Sequence, residues 1–258
     1  MTALAFSTLL RSARLPGDIL AWARPGTLAA SAMNASAWTL LGFGIQYPLR
    51  LAGNLAMAHL LAPDAFGLMA LVLSLHLGLS LLSDVGIGQS IMRDPEGDTP
   101  RFLRTAWVVQ ILRGVALASC LLILATVLHF LGPGAAADGT VYADPVLPEL
   151  IAASSAAVLI AGFQSTNLFL AVRRLQAKRH MLVELTAQVV ALAVMVGLAL
   201  AVASVWALLA GAVASAIAKT VLSHLVMKGP RMRWTWDPAR ASKLWRFGRW
   251  LIGASIGG

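Results

Sequence analysis

The sequence predicts an all-α, polytopic transmembrane helical bundle with about six spans and a partial seventh. Of its 258 residues, 59% are hydrophobic and only 12% are charged, whereas soluble domains are about half apolar and about a quarter charged. The apolar residues form segments of about 20 residues or more, which is the length that a helix needs to cross a bilayer. These segments are too long, and too rich in Leu and Ala, for the strands of a membrane barrel.

Three regions follow from the positions of the apolar segments. Residues 1–34 are predicted to be a cytoplasmic, amphipathic amino terminus, and residues 228–258 a cytoplasmic basic loop followed by the start of a seventh span. Residues 35–227 are predicted to form the six-helix bundle. Its predicted spans are residues 35–62, 66–92, 105–131, 150–172, 181–203 and 205–227. Because the seventh apolar run stops at Gly258, we expect the sequence to be a fragment of a longer protein or a truncated product.

Lysine and arginine alternate along the chain in step with these spans. The connections after spans one, three and five, at residues 63–65, 132–149 and 203–204, contain neither residue type. The other connections carry nearly all of them, and the positive-inside rule places that side in the cytoplasm together with the amino terminus. Topology thus explains the net charge of +9, so nucleic acid is not an expected partner. Trp234 and Trp236 are expected at the cytoplasmic interface, which indole rings prefer.

Arg50 lies near the middle of the first predicted span. Gln46 and Asn54 lie four residues to either side of it, so the three side chains share one helix face, and Pro48 removes a backbone hydrogen bond beside them. A charge inside a membrane is costly and is a functional hypothesis by default. Two interpretations are open: Arg50 binds an anionic substrate head group in a cavity, or it forms a structural ion pair with a carboxylate such as Glu184.

Other polar groups in the predicted spans are further candidates. Asp84 and Glu184 are candidates for a coupling-ion site, although both are expected near the cytoplasmic end, and Gly86 and Gly88 allow a helix end or a break beside Asp84. Lys219 is expected either to reach a cavity or to extend to the interface. Gln164 and Asn167 are expected to line the cavity or to form hydrogen bonds between helices.

No residue pattern predicts catalysis, a metal site or a cofactor. The single cysteine, Cys120, excludes a disulfide within the chain and any cluster built on cysteine. The five histidines do not have metal-ligand spacing, and no group of nucleophile and base is evident. We therefore predict a protein that is not an enzyme.

Several segments, taken in order, resemble the oligosaccharide flippases of the multidrug/oligosaccharidyl-lipid/polysaccharide exporter superfamily. The segment "LAMAHLLAPDAFGLMAL" resembles the junction between the family's first two spans through Leu60, Leu61, Pro63, Phe66 and Gly67. The likeness continues in "LLSDVGIGQSIMRD", which resembles the end of the second span. It continues further in "FLRTAWVVQILRG", "RRLQAKRHMLVEL", "VWALLAG" and "LWRFGRWLIGASI".

The resemblance implies a transporter in the bacterial inner (plasma) membrane that flips a polyprenyl-pyrophosphate-linked oligosaccharide for exopolysaccharide, capsule or O-antigen (lipopolysaccharide) synthesis. Family members have two such bundles, so the chain resembles the amino-terminal half. The implied partners are the lipid-linked oligosaccharide, membrane lipid, and the polysaccharide polymerase with other export machinery. Two alternatives are a cation-coupled multidrug exporter of the same superfamily and a membrane-embedded enzyme of polysaccharide assembly.

Overall fold

The computed structural model describes residues 28–83, 86–135 and 144–246. Every regular element in this part of the chain is a helix. Eight helices are bounded at both ends: α1 (Leu28–Leu60), α2 (Pro63–Leu82), α3 (Ile87–Arg93), α4 (Pro100–Ala135), α5 (Val146–Gly162), α6 (Asn167–Arg173), α7 (Ala177–Ala201) and α8 (Val205–Leu225). Residues 238–246 are also helical. The predicted amphipathic residues 1–27 and the residues from 247 onward, which include most of the partial seventh span, lie outside the described residues.

Four of the helices are long and apolar enough to cross a membrane. These candidate spans are Pro63–Leu81, Pro100–Phe130, Ala177–Ala201 and Val205–Leu225. A fifth arises if α5 and α6, which are bent by 57° at their junction, count as one broken span. Helix α1 has 33 residues, which is more than sufficient, yet it is not among the four. The polar face around Arg50 and the three small residues Gly42, Gly44 and Gly53 lower the hydropathy of its sequence.

The helices pack in an arc that begins at α1. Helix α1 packs along α7, α7 forms a hairpin with α8, α8 packs on α5, and α5 packs on α4. Helix α2 lies against α5 and α8. Val72, Leu121, Leu150 and Leu209 are buried where α2, α4, α5 and α8 meet, and they form the main apolar core.

The approach between α4 and α5 depends on a pair of glycines. A Cβ on Gly114 would lie 3.0 Å from the Cα of Gly162, and a Cβ on Gly162 would lie 3.2 Å from the Cα of Gly114. Both distances are below ordinary van der Waals separation, so a side chain at either position would push the helices apart. Small residues of this kind bring helix backbones together in membranes, where apolar burial alone does not drive association.

Two predicted spans are broken near the same end of the bundle. The segment predicted as one span at 66–92 ends as α2 at Leu82 and resumes as α3 at Ile87. Gly86 precedes α3 with φ 60°, a left-handed conformation that favours glycine. The segment predicted at 150–172 is interrupted between Gly162 and Asn167. Each interruption is only four residues long and apolar residues resume beyond it, so hydropathy averaged over the length of a span predicts an unbroken span.

The basic connections meet at one end of the bundle, which we call the basic end. Arg93 closes α3, Arg101 lies in the first turn of α4, and Arg173 closes α6. A contact across this end joins the end of α6 to the end of α3: Arg173 Nη1 donates to the carbonyls of Ile91 (2.7 Å) and Asp94 (2.5 Å). The alternation of basic and non-basic connections in the sequence therefore corresponds to two ends of one folded unit.

Candidate functional site

The polar face of α1 lies at mid-depth of the bundle. A Cβ on Gly42 would meet Met181 and one on Gly53 would meet Leu192, so each glycine contacts the residue 139 positions further along the chain. The constant offset shows that α1 and α7 run parallel in one register. Arg50 consequently lies level with position 189, which is the middle of α7 at Ala177–Ala201.

Arg50 lies beside the interface with α7 rather than within it. Gly42, Gly53 and Met57 are buried on the side that faces the bundle, Gln46 is half-buried at its edge, and Arg50 is exposed. Among the described residues, no hydrogen bond or ion pair is made by the Arg50 guanidinium. The arginine is therefore available to a ligand on the open side of α1.

Aromatic and polar side chains continue the open face around Arg50. Tyr47 is 68% exposed and makes a tilted ring contact with Phe43 at a centroid distance of 6.0 Å. Asn54 is exposed one helical turn beyond Arg50. This strip offers one cation, an amide, a phenol and an apolar ring, a combination suited to an amphipathic anion.

Glu184 pairs with Lys219, so it is not the partner of Arg50. Lys219 Nζ on α8 lies 2.5 Å from Glu184 Oε1 on α7, and His180 Nε2 lies 4.0 Å from the same oxygen. The structural alternative of an Arg50–Glu184 pair is therefore wrong. Lys219 is thus paired with a carboxylate on the neighbouring helix, and a substrate-binding role for it stays a prediction.

A second polar region surrounds the two helix breaks, and we call it the paired-break cavity. Its volume is about 490 Å³. Helices α3 and α6 meet at its edge, where a Cβ on Gly88 would lie 2.9 Å from the ring of Phe169. Its polar lining comes from Ser80, Gln89, Gln110, Arg113 and Gln164.

Gln110 of α4 satisfies the carbonyls that the break after α5 leaves without helical partners. Its Nε2 donates to the carbonyls of Gly162 (3.0 Å) and Gln164 (2.9 Å), with a longer contact to Ala161 at 3.4 Å. Trp107 Nε1 donates to the carbonyl of Phe163 at 3.2 Å. Interrupted backbone at this depth needs such partners, because lipid offers none.

Helix α8 supports the same break from the other side. His224 Nε2 lies 2.9 Å from the carbonyl of Phe163, and Thr220 Oγ1 donates to that of Ile160 at 3.0 Å. The backbone N–H of Ser165 donates to Ser223 Oγ at 2.9 Å. The break is thus a built feature rather than a frayed helix end, and the composition of α4 and α8 alone does not reveal it.

Arg113 caps the end of α2. Its Nη2 donates to the carbonyl of Ser80 at 2.9 Å and its Nε to Ser83 Oγ at 3.1 Å. The Ser80 carbonyl also accepts a hydrogen bond from Ser83 Oγ at 3.3 Å. Arg113 therefore supports the break between α2 and α3.

The remaining candidates from the sequence fall into three situations. Gln164 lines the paired-break cavity. Asn167 is 5% exposed and its Nδ2 donates to the carbonyl of Pro230 at 3.2 Å, so it ties α6 to the connection after α8 and does not lie beside Arg50. Asp84 lies outside the described residues. A ligand-binding or coupling role for any of these residues stays a prediction.

An ionic network at the basic end joins the connection between α3 and α4 to the helical segment 238–246. Lys243 Nζ lies 2.6 Å from Asp94, and Arg240 lies 2.8 Å from both Glu96 and Asp237. Burial raises the pKa of Asp94, but the hydrogen bond from Lys243 and other nearby donors and cations outweigh it, so its pKa is lowered. The hydrogen bond to Glu96 raises the pKa of Arg240. In the sequence, Arg240 and Lys243 indicate only membrane topology, and no local pattern identifies their carboxylate partners.

Within the described residues, no group of three His, Cys, Asp or Glu side chains could hold a metal ion. This part of the chain instead has features of a membrane bundle: an arginine on an open helix face, a Glu184–Lys219 ion pair between two candidate spans, and one bent helix pair that could be a broken span. Such features can bind, orient and admit a polar ligand.

Comparison with known proteins gives the family. The family model described as "polysaccharide biosynthesis protein" matches residues 56–257, which is most of the chain. No curated protein and no solved structure matches the chain. The family match agrees with the resemblance to polysaccharide flippases read from the sequence. The chain is a membrane protein with several apolar helices, and it belongs to the polysaccharide biosynthesis protein family.

Proposed function

We propose that the protein is a transporter that flips polyprenyl-pyrophosphate-linked oligosaccharide from the cytoplasmic to the outer leaflet of the bacterial inner membrane. The proposal places the basic end and the amino terminus in the cytoplasm, as the positive-inside rule requires. It counts α1 and the broken α5–α6 pair as one crossing each. Together with the four candidate spans, this gives six crossings.

Arg50 is the observation that carries the proposal. A guanidinium at mid-depth cannot face hydrocarbon without a large cost, so the face of α1 that carries it must border water or a charged ligand. A pyrophosphate offers acceptors that match the planar fork of the guanidinium in a bidentate contact. The exposed Tyr47 and Asn54 beside it add hydrogen-bonding groups for the sugars.

Alternating access needs elements that can move against one another. Helix α2 ends at Leu82 and α5 at Gly162, and a further helix begins a few residues after each. Discontinuous helices are common at transporter binding sites. We propose that the paired-break cavity is a hinge region on the cytoplasmic side of the path that the head group takes past Arg50.

The test is polysaccharide export in cells that depend on this gene. Arg50→Ala is expected to lower export about 10- to 100-fold, because one charge-assisted contact contributes about 1.5–3 kcal/mol. Arg50→Lys should retain part of the activity, since it keeps the charge but not the fork. The matched control is Arg101→Ala, which removes an exposed arginine at the basic end.

The same assay separates the main alternative. A cation-coupled exporter needs a carboxylate that titrates during transport, and Glu184 is the described candidate. Normal export by Arg50→Ala together with loss of export in a stably folded Glu184→Gln variant would replace the present proposal with that one. Sugar transfer catalysed by the purified protein would instead indicate an assembly enzyme.

A further inference from the structure

A second cavity lies at the basic end, away from Arg50 and from the paired-break cavity. Its volume is about 510 Å³, and it opens between α3, the start of the following connection, α4 and the helical segment 238–246. Leu244 fixes that segment in place: it is fully buried in an apolar cluster with Ile91 of α3 and Phe102 of α4. The cavity is therefore part of the packed structure.

The charged groups that line this cavity are mostly cationic. Arg93, Lys243 and Arg246 contribute three positive charges and Asp94 one negative charge. The Asp94 carboxylate is only 11% exposed and is neutralised by Lys243 at 2.6 Å. Arg93 and Arg246 are exposed, and neither has an ion-pair partner in the part of the chain that the structure describes. The cavity thus presents two arginines to an anion.

A buried hydroxyl in the lining lacks a partner. Ser90 is 5% exposed, it borders the cavity, and its Oγ makes no hydrogen bond among the described residues. Buried polar groups without a partner are uncommon in folded proteins, and each one points to a missing ligand or water. A hydroxyl that borders a cavity lined by two arginines is a suitable donor to a phosphate oxygen.

The length of α2 indicates that the cavity lies at the level of the lipid head groups. Helix α2 has 20 residues and is thus about 30 Å long, which is the thickness of the hydrocarbon core. Helix α3, which follows it, lies beyond that thickness. Three tryptophans near the cavity in sequence are strongly exposed, Trp234 at 65%, Trp236 at 50% and Trp245 at 61%. Exposed tryptophans beside basic residues are typical of a membrane interface.

We propose that this cavity binds the phosphate of an anionic bilayer phospholipid, with Arg93 and Arg246 as its cationic ligands and Ser90 as a hydroxyl donor. Guanidinium groups bind phosphate oxygens in a bidentate geometry, and basic pockets between helices on the cytoplasmic side suit anionic head groups. Bound lipid would connect α3 to the helical segment 238–246. The site does not depend on the transported substrate, so it stands apart from the proposed function.

The test measures lipid binding by the purified full chain in detergent. Phosphatidylglycerol and phosphatidylcholine of equal chain length are titrated separately, and bound lipid is counted by native mass spectrometry. The wild-type chain is expected to bind phosphatidylglycerol at least 10-fold more tightly than phosphatidylcholine. Arg93→Gln combined with Arg246→Gln should remove most of this preference, and Ser90→Ala should reduce it several-fold.

Two controls make the result specific. Arg101→Gln removes an exposed arginine from the same end outside the cavity, and it should leave the preference for phosphatidylglycerol unchanged. Arg50→Ala should also leave it unchanged, so failure of the transport proposal does not affect this one. Equal binding of the two lipids, or full binding by the double variant, would overturn the proposal. Selective binding of a polyprenyl phosphate without phosphatidylglycerol would overturn it too, since the site would then belong to the substrate.

Discussion

The ion pair between Glu184 and Lys219 is expected to stabilise the packing of α7 against α8. The perturbation is Glu184→Gln, which leaves the Lys219 ammonium without a carboxylate inside the membrane. At 2.5 Å, the Coulomb energy of the pair is about 7 kcal/mol for an effective dielectric constant of about 20. The cost of desolvating both ions offsets most of this energy.

The net effect follows from the exposure of the two side chains. Removing one member of a fully buried pair costs about 3–5 kcal/mol, but Glu184 and Lys219 are 21% and 30% exposed. We therefore expect Glu184→Gln to lower the free energy of unfolding by about 2–3 kcal/mol. Lys219→Met should cost a similar amount, and the double variant should be more stable than either single variant, since it buries no unpaired charge.

The assay is reversible unfolding of the purified chain in mixed micelles, followed by circular dichroism as dodecyl sulfate is added. Because the double variant is expected to be more stable than either single variant, the double-mutant cycle should give a coupling energy of at least about 2–3 kcal/mol. The control pair is Arg174 and Asp98, which are 3.9 Å apart and nearly half exposed, so Arg174→Gln should change stability by less than about 1 kcal/mol. Additive effects of Glu184→Gln and Lys219→Met would refute the reasoning.

Two further predictions concern helix packing and the basic end. Gly114→Leu should separate α4 from α5 at Gly162 and lower the free energy of unfolding by about 1–3 kcal/mol. Gly78→Ala, whose added methyl group meets open space, should leave the stability unchanged or raise it by up to about 1 kcal/mol. Equal melting temperatures for the two variants would contradict the close crossing. The lowered pKa of Asp94 means that its pair with Lys243 contributes stability fully above the ordinary carboxyl pKa of about 3.9. That contribution is lost as the pH falls below this value through the lowered pKa. In acid titrations Asp94→Asn should remove this step, and an unchanged step would contradict the assignment.

Hydropathy predicted the long helices well, because lipid leaves little freedom for an apolar segment of sufficient length. The predicted segments 105–131, 181–203 and 205–227 correspond closely to α4, α7 and α8. The predicted number of spans is confirmed only in part, since four of the described helices, or five with the bent pair, satisfy length and hydropathy. Helix α1 is continuous through Pro48, yet its polar face lowers its hydropathy.

The breaks and their supports were harder to predict. Gly86 and Gly88 indicate a flexible backbone but do not say whether a helix ends or resumes. The role of Gln110 depends on the carbonyls at 161–164, about 50 positions away in sequence, and no local pattern encodes that contact.

The polar face at Gln46, Arg50 and Asn54 was predicted from spacing alone, because a four-residue interval fixes a helix face. The choice of Lys219 as the partner of Glu184 was not predictable in the same way, since it depends on how α7 and α8 are rotated against each other. Single charged residues in spans therefore identify candidates, and only packing decides which of them are paired.

The measurement that tests the central claim most directly is the access of water to position 50. In a Cys120→Ser background, Arg50→Cys and Ile123→Cys are each treated with a membrane-impermeant thiol reagent in open vesicles. Ile123 is 65% exposed on α4 within a candidate span and serves as the lipid-facing control. Rapid labelling at position 50 with none at position 123 is the predicted result, because the face of α1 that carries Arg50 borders an aqueous path. If the cysteine at position 50 were as unreactive as the one at position 123, this result would contradict an aqueous path beside Arg50.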